Sequence, residues 1–384
     1  MSGRILIYVQ HLLGSGHLRR AALLARAYTE AGFTVRLVSG GFVVPDLDHG
    51  AAEFIQLEPV RCREDNFNRL LDTSGTQIDE AFKARRRKQL LAAFDKAHLD
   101  ALIIEMYPFG RRQMRFELEP LIEHAAKSTP KPLIVASVRD ILQTGRKPGR
   151  NEEAAQIVER DFDAVLVHGD PAFVSFSASF PPAGRIAARI HQTGYLAEPA
   201  PTIAKPGDPG WDEVVVSAGG GAVGGALLHA AIAARPLSSL KERTWRILTG
   251  SAMDEAERDA LTKVGGPGTI IERARPDFVR LLKGAAVSVS QGGYNTVTDI
   301  LNAGVKAVIV PFEGDGETEQ TMRAENLAAR GAAILLPESD LNPENLARAV
   351  GDADQMARDK SAIDLSGAAT SVRLLGGWLS KRAR

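Results

Sequence analysis

Three stretches of the chain hold residue types that could do chemistry at spacings a fold could use. The first, HLLGSGHLRR (His11 to Arg20), sets glycines and His17 between an apolar run, RILIYVQ, and a helical pattern, AALLARAYTEAG. Glycines at such a junction, Gly16 among them, let the backbone approach an anion, because the first N–H groups of a helix have no partner within it. A neutral histidine there, with an ordinary pKa near 6.5, can take a proton from a hydroxyl or from water. The stretch does not fit a dinucleotide fingerprint. Arg19 stands where the third glycine belongs, and the next strand pattern ends in LVSGG without the acidic residue that binds a ribose. It is not a P-loop either, since no G-K-[ST] follows.

The second stretch, SAGGGAVGG (Ser217 to Gly225), repeats the device and offers Gly219, Gly220 and Gly221 as phosphate contacts. In the third, from Ser288 to Ala333, a strand ends at Gln291 and the chain turns at Gly292 and Gly293. A helix is expected to begin near Asn295 and Thr296, with their side chains as caps. Asp299 follows one turn into it, where a carboxylate could accept two hydrogen bonds from a vicinal diol such as a ribose. Beyond the next strand come Glu319 and Gln320, paired hydrogen-bonding side chains suited to sugar hydroxyls. Other strand ends supply Glu105 and Tyr107, Arg139 and Asp140, and His168; Glu105 could orient His17. No His/Asp cluster at metal spacing stands among these candidates, so no metal is expected, and a single cysteine, Cys62, excludes an internal disulfide.

The elements that must position these residues read as α/β. Continuous apolar runs such as DALIIEM, PLIVASV, EVVVSAG, AAVSVSQ and KAVIVPF alternate with helical patterns, which indicates parallel sheets covered on both faces. GYLAEPAPTIAKPGDPG, dense in proline and glycine, reads as a linker. It divides the 384 residues into an N-terminal domain, 1–195, a linker, 196–210, and a C-terminal domain, 211–367. Two such open sheets would face each other across a cleft at the carboxyl ends of their strands. With 47 basic and 47 acidic residues no global field favours nucleic acid. KARRRK (Lys83 to Lys88) and GRRQMR (Gly110 to Arg115) are local basic runs that could serve an anionic acceptor or a membrane surface. No apolar stretch approaches the ~20 residues of a membrane span, and the N-terminus leads directly into a strand. A cytoplasmic protein is expected, with peripheral membrane association left open.

The Ser288 segment resembles the donor-nucleotide motif of glycosyltransferases with two Rossmann-like domains, the GT-B architecture. It is similar both to the UDP-dependent plant enzymes and to the bacterial N-acetylglucosaminyltransferase family that makes the lipid-linked peptidoglycan precursor. Gln291 stands where the plant enzymes have a phosphate-binding histidine, Asp299 where they have a ribose-binding glutamate, and Glu319-Gln320 where a pair contacts the donor sugar. Arg323 replaces a usual asparagine. GSGH..R in the first stretch also resembles the UDP-sugar hydrolase of pseudaminic acid synthesis, in which the matching histidine acts on water. The resemblance implies an inverting transfer from a nucleotide diphosphate sugar, UDP-linked by expectation, to an unknown acceptor hydroxyl with His17 as base and without a metal or other cofactor. A hydrolase or epimerase, or a sugar-nucleotide-binding protein without turnover, remains an alternative. In this architecture the last helix, here 368–384, packs back on the first domain.

Overall fold

The computed structural model describes residues 3–382 except 46, 64–65, 97, 144–147, 200–201, 203, 220–223, 251–252, 315–316 and 358–362, and it divides into two compact units. The first contains residues 1–142, 146–196 and 366–384, and the second residues 143–145 and 197–365.

The strands of the first unit are β1 (Arg4–Val9), β2 (Thr34–Ser39), β3 (Glu53–Gln56), a hairpin of β4 (Arg61–Arg63) and β5 (Asn66–Leu71), β6 (Ala101–Glu105), β7 (Leu133–Arg139), β8 (Ala164–His168) and β9 (Ile190–Gln192). Apart from the hairpin they form one sheet, in the order β3-β2-β1-β6-β7-β8-β9, and every pairing is parallel. The helices between them are α1 (Gly16–Glu30), α2 (Glu80–Asp95), α3 (Arg115–Lys127) and α4 (Arg150–Asp161). Alternate residues of β1 enter opposite cores. Leu6 and Tyr8 join residues of α2, α3 and α4, whereas Ile5, Ile7 and Val9 join residues of α1. Burial on both faces is why these strands are continuous apolar runs.

The second unit repeats the plan. Strands β10 (Val214–Ser217), β11 (Trp245–Thr249), β12 (Thr269–Arg273), β13 (Val287–Ser290), β14 (Ala307–Ile309) and β15 (Ile334–Leu335) form a sheet in the order β12-β11-β10-β13-β14-β15, again all parallel. Helices α5 (Gly225–Ala234), α6 (Glu255–Gly265), α7 (Phe278–Gly284), α8 (Tyr294–Ala303), α9 (Glu319–Ala329) and α10 (Pro343–Gln355) connect them. Val214 and Val216 pack with Leu227 and Leu228 of α5 and with Leu346 and Val350 of α10.

The following helix, α11 (Gly367–Arg382), belongs to the first unit. Val372 and Leu375 enter the core that α1 covers, and Tyr28 donates from its hydroxyl to the Ser371 carbonyl. Arg382 bonds the Lys131 carbonyl at 3.0 Å, and the Trp378 ring lies 4.9 Å from that of His191. The helix starts where only glycine fits: a Cβ on Gly367 would meet the carbonyl oxygens of Gly194 and Tyr195 at 2.5 and 2.6 Å.

Candidate active site

In both sheets the chain order reverses at one place, between β1 and β6 in the first and between β10 and β13 in the second. Loops beyond the carboxyl ends of strands at such a switch point diverge and leave room for a ligand. The first and third stretches singled out above lie at these two points.

At the first, β1 leads through the glycine loop into α1, and β6 ends in Glu105. Ser15 precedes α1 without a side-chain cap, and Gly16 and His17 are its first residues. His17 Nδ1 lies 2.7 Å from Glu105 Oε1, and Arg20 Nη2 lies 2.6 Å from the same oxygen. The Glu105 and Arg20 side chains are only 3% and 5% exposed, while His17 retains 18%. Glu105 Oε2 is buried and makes no hydrogen bond. Burial works against the charge on Glu105, but the His17 ring, Arg20 and Arg111 outweigh it and bring its pKa down to about 2. Burial lowers His17 to about 3, with Arg111 and Arg20 acting in the same sense and Glu105 against. At neutral pH the pair is therefore a carboxylate and a neutral imidazole. An ionised carboxylate only accepts, so Nδ1 carries the ring proton and donates it to Glu105, leaving a lone pair on Nε2. Arg20 Nη2, 2.9 Å from Nδ1, is then a second donor on the shared oxygen and not a partner of the ring.

The segment after Glu105 bends back sharply. Met106 and Arg111 adopt φ of 66° and 61°, a left-handed conformation costly for side chains of this kind. Bonds from Met106 N to the Ser137 carbonyl and from Gly110 N to the Met106 carbonyl hold the bend, and it returns Arg111 Nε to the Gln10 carbonyl at 2.5 Å. Spacing could have pointed to Arg20, one helical turn from His17 on the same face. Arg111 lies in the basic run Gly110 to Arg115, but nothing local pointed to its place beside Glu105.

Other strand-end residues take structural places. His168 is fully buried, bonded to Ser137 Oγ at 2.8 Å and Thr193 Oγ1 at 2.9 Å, and burial lowers its pKa to about 3. Asp140 is buried and accepts from the Tyr195 hydroxyl at 2.7 Å and the Ile141 amide at 2.8 Å. Tyr107 is buried in the core, which pushes its pKa up to about 12. Arg139, partly buried at the end of β7, contributes its charge beside Arg111. Several cations of the basic runs are paired within the first unit, while Arg87 and Lys88 are exposed. Arg86 is fully buried against Glu117, Arg85 pairs with Glu58, and Arg112 and Arg115 both pair with Glu153.

At the second switch point Ser217 and Ser290 pair across the ends of β10 and β13. Gly219 has φ 72° and donates to Ser217 Oγ, whereas Gly220 and Gly221 lie outside the described residues. After β13 come Gln291, buried, and Gly292 and Gly293. Helix α8 begins at Tyr294 with Gly293 as its cap, and no side chain caps it. The expected caps, Asn295 and Thr296, thus fall inside the first turn; the extended backbone of Gly293 starts the helix before either can serve. The helical ladder opens with Val297 N to the Gly293 carbonyl. The preceding amides point out of the helix end, as an anion requires. Asp299 is partly exposed one turn after Asn295.

Gly292 also joins this loop to α9. A Cβ on it would stand 2.9 Å from the Gln320 carbonyl, and buried Arg323 bonds the Gly292 carbonyl at 2.7 Å with its guanidinium 5.8 Å from the Tyr294 ring centre. Arg323 therefore clamps the glycine turn. Glu319 is buried at the start of α9, and Gln320, partly buried, accepts from the Phe312 amide through Oε1. Among the described residues no three His, Cys, Asp or Glu side chains group as a metal site would require, and no helix is long and apolar enough to cross a membrane.

Two Rossmann-like parallel-sheet units with glycine loops at their switch points define the GT-B glycosyltransferase architecture. Residues 214–370 match the family described as glycosyltransferase family 28 C-terminal domain. Over 148 residues the chain is 28% identical to the UDP-N-acetylglucosamine–N-acetylmuramyl-(pentapeptide) pyrophosphoryl-undecaprenol N-acetylglucosamine transferase of Bacillus licheniformis; the match spans 38% of this chain and 39% of that relative. Among solved structures, CalG4, the calicheamicin glycosyltransferase, superimposes with a TM-score of 0.65 at 16% identity over 100% of both chains. MurG of Acinetobacter baumannii does so with 0.57 at 15% identity, over 97% of this chain and 99% of its own. At these identities the structures share the fold.

Proposed function

We propose that the protein is an inverting glycosyltransferase that moves a sugar from a nucleotide diphosphate sugar, UDP-linked, to an acceptor hydroxyl. The single observation that carries this reading is the 2.7 Å contact between His17 and Glu105 at a switch point. The family 28 match across the second switch point supports it.

In this reading His17 Nε2 takes the proton of the acceptor hydroxyl as its oxygen attacks the anomeric carbon. The bond from that carbon to the diphosphate oxygen breaks on the opposite face. Glu105 keeps the other ring nitrogen protonated and stabilises the imidazolium that forms. The second unit holds the departing diphosphate through Gly219 to Gly221 and Gln291 to Thr296, the first-turn amides of α8 facing its charge. Asp299 receives the ribose hydroxyls, and Glu319 and Gln320 the sugar.

Calorimetric titration of UDP, GDP and dTDP into the wild type and Asp299→Ala tests the donor half. Loss of a hydrogen bond to a charged group costs ~1.5–3 kcal/mol, so UDP should bind the variant roughly ten to a hundredfold more weakly. If none of the three nucleotides binds the wild type, the reading is refuted.

A further inference from the structure

Arg20 is a costly residue where it stands. It is 5% exposed in a helix whose neighbouring buried members, Leu23 and Leu24 one turn on, are apolar, and it lies near the helix end whose dipole repels a cation. The first turn of α1 has no acidic residue to offset it. A buried charge persists only when partnered, and one partner here is the oxygen that His17 also uses.

We propose that Arg20 is a positioning residue that fixes Glu105 as a carboxylate and thereby keeps the ring proton of His17 on Nδ1, with Nε2 free to act as the base. This rests on the reading of His17 as the base. Two donors on one oxygen, one of them a guanidinium, favour the charged carboxylate over the neutral acid. A protonated Glu105 could itself donate to Nδ1, which would move the ring proton to Nε2 and silence the base. The Arg20 charge also disfavours a proton on the imidazole before an acceptor arrives. The groups facing this pair are Arg20 from α1, Arg111 from the loop after β6, and Arg139 from the end of β7 beside Arg111. His11 from the end of β1 and His168 from β8 face the same charges, and burial holds both below the ordinary histidine range.

The test is the nitrogen spectrum of the His17 ring in the 15N-labelled full chain between pH 2 and 8, for wild type, Arg20→Met, Arg20→Gln and Arg20→Lys. A merely structural arginine would alter stability without altering the ring titration. The expected result is a neutral Nδ1–H ring in wild type and Arg20→Lys. In the two neutral variants the titration should move up by about one pH unit, since removing a nearby cation favours the protonated ring. Identical titrations in wild type and the neutral variants would overturn the proposal. If neither neutral variant folds, Arg20→Lys decides: an unchanged ring supports the role of charge and a shifted one overturns it. Unaltered turnover in His17→Ala would defeat the base reading, while the ring spectra would still report what Arg20 does to His17.

Discussion

Replacing Glu117 by glutamine removes one negative charge from a site that water does not reach. Arg86 and Glu117 are both fully buried, with Arg86 Nε 2.6 Å and Nη2 3.1 Å from the two carboxylate oxygens. The remaining guanidinium hydrogens go to the Gly40 carbonyl at 2.8 Å, the Glu58 carbonyl, and Gln10 Oε1 at 2.5 Å. These acceptors are neutral, so among the described residues Glu117 is the one countercharge bonded to Arg86. Breaking a buried pair from one side costs about 3–5 kcal/mol, because the surviving charge stays buried without compensation. In a unit of this size each kcal/mol moves the melting point by ~2–4 °C, so Glu117→Gln should lower it by roughly 6–20 °C. Hydrogen-exchange mass spectrometry in increasing urea reads the two units separately: peptides of β1 and β6 should open early, and those of β10 and β13 should be unaffected. The double variant Arg86→Met with Glu117→Leu, which removes both charges, should recover most of the loss. A loss below about 1 kcal/mol for Glu117→Gln would refute the reasoning, since Arg86 would then not depend on that charge.

His17→Ala should leave nucleotide affinity intact and reduce turnover by roughly 10² or more, measured by product formation at saturating donor. Without an acceptor, wild type should release free sugar far more slowly than it transfers it; equal rates would identify a hydrolase. Acid should destabilise the first unit. His17 and His168 are held at about 3 and Glu105 at about 2, so the unfolded chain binds protons that the folded chain refuses. The histidine contribution is fully present above pH 6.5 and falls away toward 3; that of Glu105 is present above about 4.5 and falls away toward 2. His168→Gln should flatten the melting-point decline between pH 6.5 and 4, as a scan of buffers would show. Gly367→Ala should destabilise the first unit by about 2 kcal/mol or more through collision with the Gly194 and Tyr195 carbonyls, read by the same exchange experiment.

The α/β class is legible in the sequence because the central strands are buried on both faces, and RILIYVQ, DALIIEM and AAVSVSQ reappear as β1, β6 and β13. The strands that escape sequence reasoning lie mostly at sheet edges. β3, β9 and β12 mix apolar with polar residues, β15 is only two residues long, and all four are incompletely covered, as edges tend to be. The burial of one cation within a basic run escapes for a different reason. Arg86 falls in register with Leu90, Ala93 and Phe94 on the buried face of α2, and only its distant partner Glu117 makes that tolerable. The contact of His17 with Glu105 joins residues far apart in sequence; each is visible as a strand-end or loop residue, but their meeting depends on the reversal of strand order. The clamp of Arg323 on Gly292 was invisible as well, since it joins two helices across a turn that carries no pattern of its own.

The first unit is discontinuous, and that has a consequence for synthesis. A nascent chain delivers β1 to β9 first, yet the surface of α1 that α11 covers stays bare until residues 197–365 have also left the ribosome. At rates of roughly 5–20 residues per second this wait lasts on the order of ten seconds. The second unit, continuous apart from residues 143–145, has all its strands before α11 emerges. The first unit is thus completed only after the second has emerged, and during the interval the apolar residues of α1 that α11 covers remain uncovered.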